Sequence, residues 1–112
     1  MKNGCFAVCE GSNMSSTADA IDAFQRANIL FAPSKACNAG GVAVSALEMA
    51  QNSVRYSWSR AEVDEKLRGI MSGIYDASAA AAEQYGLGYD LIAGNDIAAF
   101  LKISEAMIAQ GL

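Results

Sequence analysis

Residues 36–52, ACNAGGVAVSALEMAQN, place an asparagine, two adjacent glycines and a serine around the start of a helical pattern. Helix N-termini leave backbone N–H groups without intrahelical partners and carry positive partial charge, so they attract carboxylates and phosphates. Gly40 and Gly41 let a ligand approach the backbone closely, and Ser45 falls on the same stripe one turn further on. Asn38 here and Asn13 in the loop SNMSST each offer a donor and an acceptor, which suits an amide or a ribose. The same residues also make ordinary turns, caps and hinges, and spacing alone does not separate the two uses. The stretch matches neither G-x-x-x-x-G-K-[ST] nor G-x-G-x-x-G.

Other candidates carry less. Glu10, at a strand end, is a lone carboxylate that could act as a base or serve structure. Lys35 can approach an anion or stand in solvent. Cys37 lacks a histidine to activate it, because the chain has none; the same lack removes the commonest metal ligand, and no metal site is expected. Met49, Met71 and Met107 read as core filler, and Trp58 as an anchor between two helices. The cysteines, Cys5, Cys9 and Cys37, are odd in number and read as reduced thiols. Cys5 and Cys9 would sit about 13 Å apart along one strand, too far to bridge each other.

Periodicity supplies the elements that must hold these groups. Residues 5–9, CFAVC, read as a buried parallel strand, and residues 29–32, ILFA, as a second. Between them Ser16 and Asp19 stand at capping spacing, Ile21, Phe24 and Ala27 form one helical face, and Asn28 marks a stop. This is a βαβ unit with a right-handed crossover. Residues 33–40 read as a loop and residues 41–56 as a helix. Ser59 and Glu62 form a capping box that opens a long helix, which Gly86 ends. Asn95 or Asp96 is the expected cap of a last helix. The fold class is α/β: a partial, Rossmann-like doubly wound parallel sheet of about two strands, followed by C-terminal helices. Two strands make a poor sheet, so the chain reads as a piece whose missing half lies upstream.

Composition narrows the function classes. The 112 residues suffice for one small domain, and a net charge of −4 without a basic cluster argues against nucleic acid and anionic membranes. No apolar run reaches the roughly 18 residues that span a bilayer. The N-terminus lacks a signal-peptide pattern, so a cytoplasmic home is the default expectation. Charged residues are only 18% against 53% hydrophobic, which points to surface that meets another protein segment.

The motifs CEGSNM, FAPSKACNAGGVAVSALEMAQNS, WSRAEVDEKLRGIMSGIY and GNDIAAFLKISEAMIAQG resemble the C-terminal part of hexameric glutamate dehydrogenases, across essentially the whole chain. LEMAQN is nearer the NADP-linked wording. The resemblance implies reversible conversion of L-glutamate, water and NADP to 2-oxoglutarate, ammonia and NADPH, with NAD as the other coenzyme. It implies that residues 1–56 are the second half of a dinucleotide-binding domain. Residues 57–112 would then be a helical segment turning toward an absent first domain. It makes Asn13 and Asn38 nicotinamide-side contacts, Ser45 the ligand of the substrate's distal carboxylate, and Val42 a wall of that pocket. It implies a homo-oligomer, a hexamer in the family, and the remainder of the enzyme as partner. The family's catalytic lysine and aspartate lie upstream, so no catalytic residue is assigned and the chain alone is expected to be inactive. The chain departs from the family at Ser15, Ser34, Cys37, Ala46, Asp96 and Ala99. Serine at position 34, where glycine is common, would be strained if that backbone needed a positive φ. Two other readings stay open: a stand-alone nucleotide- or carboxylate-binding half-domain, and a non-catalytic assembly module.

Overall fold

The computed structural model describes residues 2–112. Strand β1 (Ala7–Cys9) and strand β2 (Leu30–Ala32) pair in parallel, with Val8 opposite Phe31 and Cys9 opposite Ala32. Helix α1 (Ala18–Arg26) is the crossover between them, so the expected βαβ unit is present. Thr17 caps α1, its Oγ1 accepting the Ala20 N–H at 3.2 Å, one residue later than the expected Ser16 cap. Asn28 ends the segment with φ 52°. Phe24 of α1 stacks on Phe31 of β2 with ring centroids 5.9 Å apart, which fixes the helix over the sheet. Both strands are three residues long, shorter than the apolar runs that encode them, and among the described residues the outer edge of β1 is unpaired.

Residues 33–40 are not the loop that their composition predicts. They contain a helical turn, α2 (Ser34–Cys37), followed after Asn38 by helix α3 (Ala39–Val54). The carbonyl of Pro33 accepts the N–H groups of Ala36 and Cys37, both at 3.0 Å, and the Ser34 carbonyl accepts that of Asn38 at 2.9 Å. Proline suits this entry because its fixed φ leads directly into a helix. Ser34 lies inside α2 and is not among the positive-φ residues, so the conditional strain at that position does not arise.

Helix α4 (Arg60–Gln84) opens with the expected capping box. The Ser59 N–H donates to Glu62 Oε2 at 2.7 Å, and the Glu62 N–H donates to Ser59 Oγ at 3.3 Å. Trp58 anchors the α3–α4 turn: its N–H donates to Gln51 Oε1 at 2.7 Å, and its ring lies 4.9 Å beneath the Lys66 ammonium. Gly86 follows α4 with φ 70°. Helix α5 (Leu91–Ala109) starts earlier than Asn95 or Asp96, which lie inside it. Its cap is Asp90, whose Oδ1 accepts the Ile92 and Ala93 N–H groups at 3.1 Å each. A carboxylate there satisfies two free amides and complements the helix dipole, so the cap nearest the turn prevails.

The early start lets α5 fold straight back along α4. Gly94 of α5 lies so close to α4 that a Cβ would sit 2.1 Å from the Ser78 carbonyl oxygen and 3.0 Å from Ala82 Cβ. The buried centre is small: Ile29, Phe31, Ala81 and Ala82, with Ser78 donating to Ile74 O at 2.8 Å. Much apolar surface lies outside it, including Phe100, Ile103 and Ile108 on α5 and Val42, Met49 and Val54 on α3. The radius of gyration is 16.7 Å, against about 13 Å for a compact domain of this size. No helix among the described residues is long and apolar enough to cross a membrane.

The closeness of α4 and α5 at Gly94 has a direct consequence. Gly94→Ala is expected to cost about 3 kcal/mol, because the clashing atom is backbone and the helices must separate. Gly73→Ala in α4, where a Cβ meets open space, is expected to gain about 0.5–1 kcal/mol from helix propensity. Urea unfolding of the two variants measures both.

Candidate functional site

Glu10 follows β1 directly, and its N–H extends the sheet ladder to Ala32 O at 3.2 Å. Its side chain is buried although it carries charge. Oε1 accepts the Ser16 N–H at 2.7 Å and the Ser15 hydroxyl at 3.1 Å, and Oε2 accepts the Ser34 N–H at 3.1 Å. Burial pushes its pKa up, but the hydrogen bonds from Ser16, Ser34 and Ser15 outweigh that and hold the carboxyl below its ordinary value. A carboxylate so occupied is a poor base. Glu10 is a structural tie between the loop after β1 and the start of α2, and the candidate base is set aside.

That tie brings two expected site residues together. Asn13 in the first loop and Asn38 between α2 and α3 meet beyond the carboxyl ends of the strands, where Asn38 Nδ2 donates to Asn13 Oδ1. Ligands bind in this position in open α/β sheets. A left-handed residue, Met14 (φ 51°), turns the chain there, and its N–H approaches Ser34 Oγ at 3.5 Å. Among the described residues Asn13 Nδ2 and Asn38 Oδ1 have no hydrogen-bond partner, so the pair keeps one donor group and one acceptor to offer.

Val42 and Ser45 lie on α3 within its first two turns. Val42 is 71% exposed, and the exposed Ser45 hydroxyl donates back to Gly41 O at 3.3 Å. Such an i−4 bond is weak and exchangeable for a better acceptor. The paired glycines depart from expectation. They are inside the first turn of α3 rather than at an open mouth, with α2 abutting ahead of them. The Gly41 N–H donates to Asn38 O at 3.1 Å. A Cβ at Gly40 would lie 3.4 Å from Met71 Sδ and 3.5 Å from Leu67 Cδ1, so Gly40 allows α3 to pack closely on α4.

The Lys35 side chain stands largely in solvent. Its Nζ pairs with Asp96 Oδ1 at 3.3 Å, joining α2 to α5 through exposed groups. The Cys37 thiol donates to Ala32 O at 3.5 Å, and burial followed by the neighbouring Cys9 thiol raises its pKa, which makes it a weak nucleophile. A cleft of about 480 Å³ lies elsewhere, between the edge of β2 and the start of α5, lined by Asn28, Phe31, Tyr89 and Asp90 among others. It contains none of the expected site residues.

Comparison with known proteins adds independent findings. The model of the glutamate/leucine/phenylalanine/valine dehydrogenase family matches residues 1–111. The NAD-specific glutamate dehydrogenase of Clostridium symbiosum is 56% identical over 104 residues, covering 92% of this chain and 23% of that protein. The NADP-specific glutamate dehydrogenase of Giardia intestinalis is 51% identical over 104 residues, covering 93% of this chain and 23% of that protein. The crystal structure of Plasmodium falciparum glutamate dehydrogenase superposes with a TM-score of 0.95 at 54% identity, covering 99% of this chain and 24% of that one. The chain thus spans about a quarter of the length of the relatives it matches.

The tie made by Glu10 should be visible in pH dependence. A carboxyl held below 4.5 in the folded state stabilises it above that pH, and the contribution is lost as pH falls through the lowered value. Wild type is therefore expected to melt higher than Glu10→Gln at neutral pH, with the gap closing as pH falls through the lowered value. Melting curves of both across pH test this; a gap unchanged between neutral and acid pH contradicts it.

Proposed function

The chain belongs to the glutamate/leucine/phenylalanine/valine dehydrogenase family, and we propose that it is the coenzyme- and substrate-holding C-terminal part of a glutamate dehydrogenase. The reaction is L-glutamate plus water plus NADP+ giving 2-oxoglutarate, ammonium, NADPH and a proton, with NAD as the alternative coenzyme. One observation carries this: Asn13 and Asn38, distant in sequence, join beyond the carboxyl ends of two parallel strands and keep a donor and an acceptor free. That set fits a nicotinamide carboxamide, itself one acceptor and one donor group. The coenzyme, when bound, supplies the hydride acceptor.

The residues of this chain bind and orient. Asn13 and Asn38 hold the carboxamide and so set which way the ring faces. The Ser45 hydroxyl turns from the Gly41 carbonyl to the distal carboxylate of glutamate, an ionised and stronger acceptor. Val42 packs against the substrate's methylene groups and keeps water from them. No residue here is assigned to proton or hydride transfer. Residues 1–56 form the coenzyme half-domain, and residues 57–112 the helical segment that faces the remainder of the enzyme. The apolar faces of α3 and α5 support such a partner. A homo-oligomer and a cytoplasmic setting accompany the proposal.

Two measurements test it. Glutamate-dependent NADPH formation by the 112-residue chain alone is expected to be absent; turnover by the pure chain overturns the division of labour. In NMR titrations at millimolar ligand, NADPH is expected to shift the side-chain amide signals of Asn13 and Asn38. 2-Oxoglutarate is expected to shift Val42 and Ser45, and Ser45→Ala to weaken that response about tenfold. Shifts confined to other residues overturn the assignment.

A further inference from the structure

Two of the three cysteines come together at Ala32, in a place the proposed dehydrogenase role does not use. Cys9 ends β1 directly opposite Ala32 on β2. Cys37 ends α2, and its Sγ lies 3.5 Å from the Ala32 carbonyl oxygen. The same oxygen accepts the N–H of Glu10, the residue after Cys9, at 3.2 Å. One carbonyl therefore gathers the end of β1 and the end of α2, so Cys9 and Cys37 each adjoin Ala32, and the Cys9 thiol contributes to the raised pKa of Cys37. Cys5 precedes the start of β1, its thiol donating to Ala7 O at 3.4 Å. All three thiols are free in the structure, with Cys9 exposed and Cys37 half-buried.

We propose that Cys9 and Cys37 form a reversible thiol–disulfide site, oxidised by a hydroperoxide through the exposed Cys9. The Cys9 thiolate attacks one peroxide oxygen: an S–O bond forms, the O–O bond breaks, and the departing hydroxide takes a proton to become water. The Cys37 thiolate then attacks the Cys9 sulfur: the S–S bond forms, the S–O bond breaks, and a second water leaves. Two thiols give up two electrons and two protons, and hydrogen peroxide is reduced to two waters. A dithiol reductant reverses the change. Cys37 is the resolving partner because its burial, the Cys9 thiol and the Glu10 carboxylate disfavour its thiolate; the Tyr75 ring from α4 also lines its surroundings. The bridge clamps the end of β1 to α2, one residue before Asn38, so oxidation restrains the turn that carries the asparagine pair. It does not depend on the dehydrogenase assignment.

The test uses the full chain, freed of reductant and exposed to a small excess of hydrogen peroxide, then alkylated under denaturing conditions. The intact mass is expected to fall by about 2 Da before alkylation, with one alkylatable thiol left. Tryptic peptide 3–26 is expected to be joined to peptide 36–55, the link surviving Cys5→Ser and disappearing in Cys9→Ser and Cys37→Ala. Linkage in the folded chain is expected to be about tenfold or more faster than in urea. Equal rates, linkage through Cys5, a predominantly intermolecular product, or sulfinic acid at Cys9 without a link overturns the proposal. Circular dichroism of the variants separates a lost link from a lost fold.

Discussion

The carboxylate of Glu10 is the interaction on which the arrangement of the candidate site depends. A two-stranded sheet leaves the loops beyond its strands without a third neighbour, and each would be free to drift. One buried carboxylate accepts from Ser15 and Ser16 on one side and Ser34 on the other, so both loops share a single anchor. Each bond is charge-assisted, which makes it stronger than a neutral equivalent. Asn13 lies within the span that the carboxylate closes, and Asn38 follows the turn that Ser34 starts. The asparagine contact is a consequence of the tie more than a cause of it.

The helices solve a different problem. With Ile29, Phe31, Ala81 and Ala82 as its buried apolar residues, the chain has little interior to draw on. Helices α4 and α5 pack closely at Gly94 against the Ser78 backbone, where small residues substitute proximity for volume. Asp90 makes this register available by starting α5 within a few residues of the end of α4. The Lys35–Asp96 pair then connects α5 to α2. Exposed ion pairs of this kind contribute little to stability, so its effect is on relative position. The apolar faces left exposed on α3 and α5 accord with the low charge of the sequence.

What the sequence by itself determined is what depends on near neighbours along the chain. The apolar runs and helical periods located both strands and the long helices, and the Ser59–Glu62 capping box was legible because its bonds span only three residues. Asn13, Asn38 and Ser45 stood out by type and by family resemblance, Val42 by the resemblance alone, and the structure brings the two asparagines into contact. The tertiary structure alone decided matters that rest on distant partners. The Glu10 bond to Ser34 joins positions 24 apart, the asparagine pair positions 25 apart, and Lys35–Asp96 positions 61 apart. No periodicity encodes such pairs. The same holds for the choice of Asp90 over Asn95 or Asp96 as cap and for the conversion of a small-residue loop into α2. It holds too for the gathering of Cys9 and Cys37 at Ala32. In each case several residues could have served locally, and the partner that packing brought within hydrogen-bond or van der Waals reach selected one.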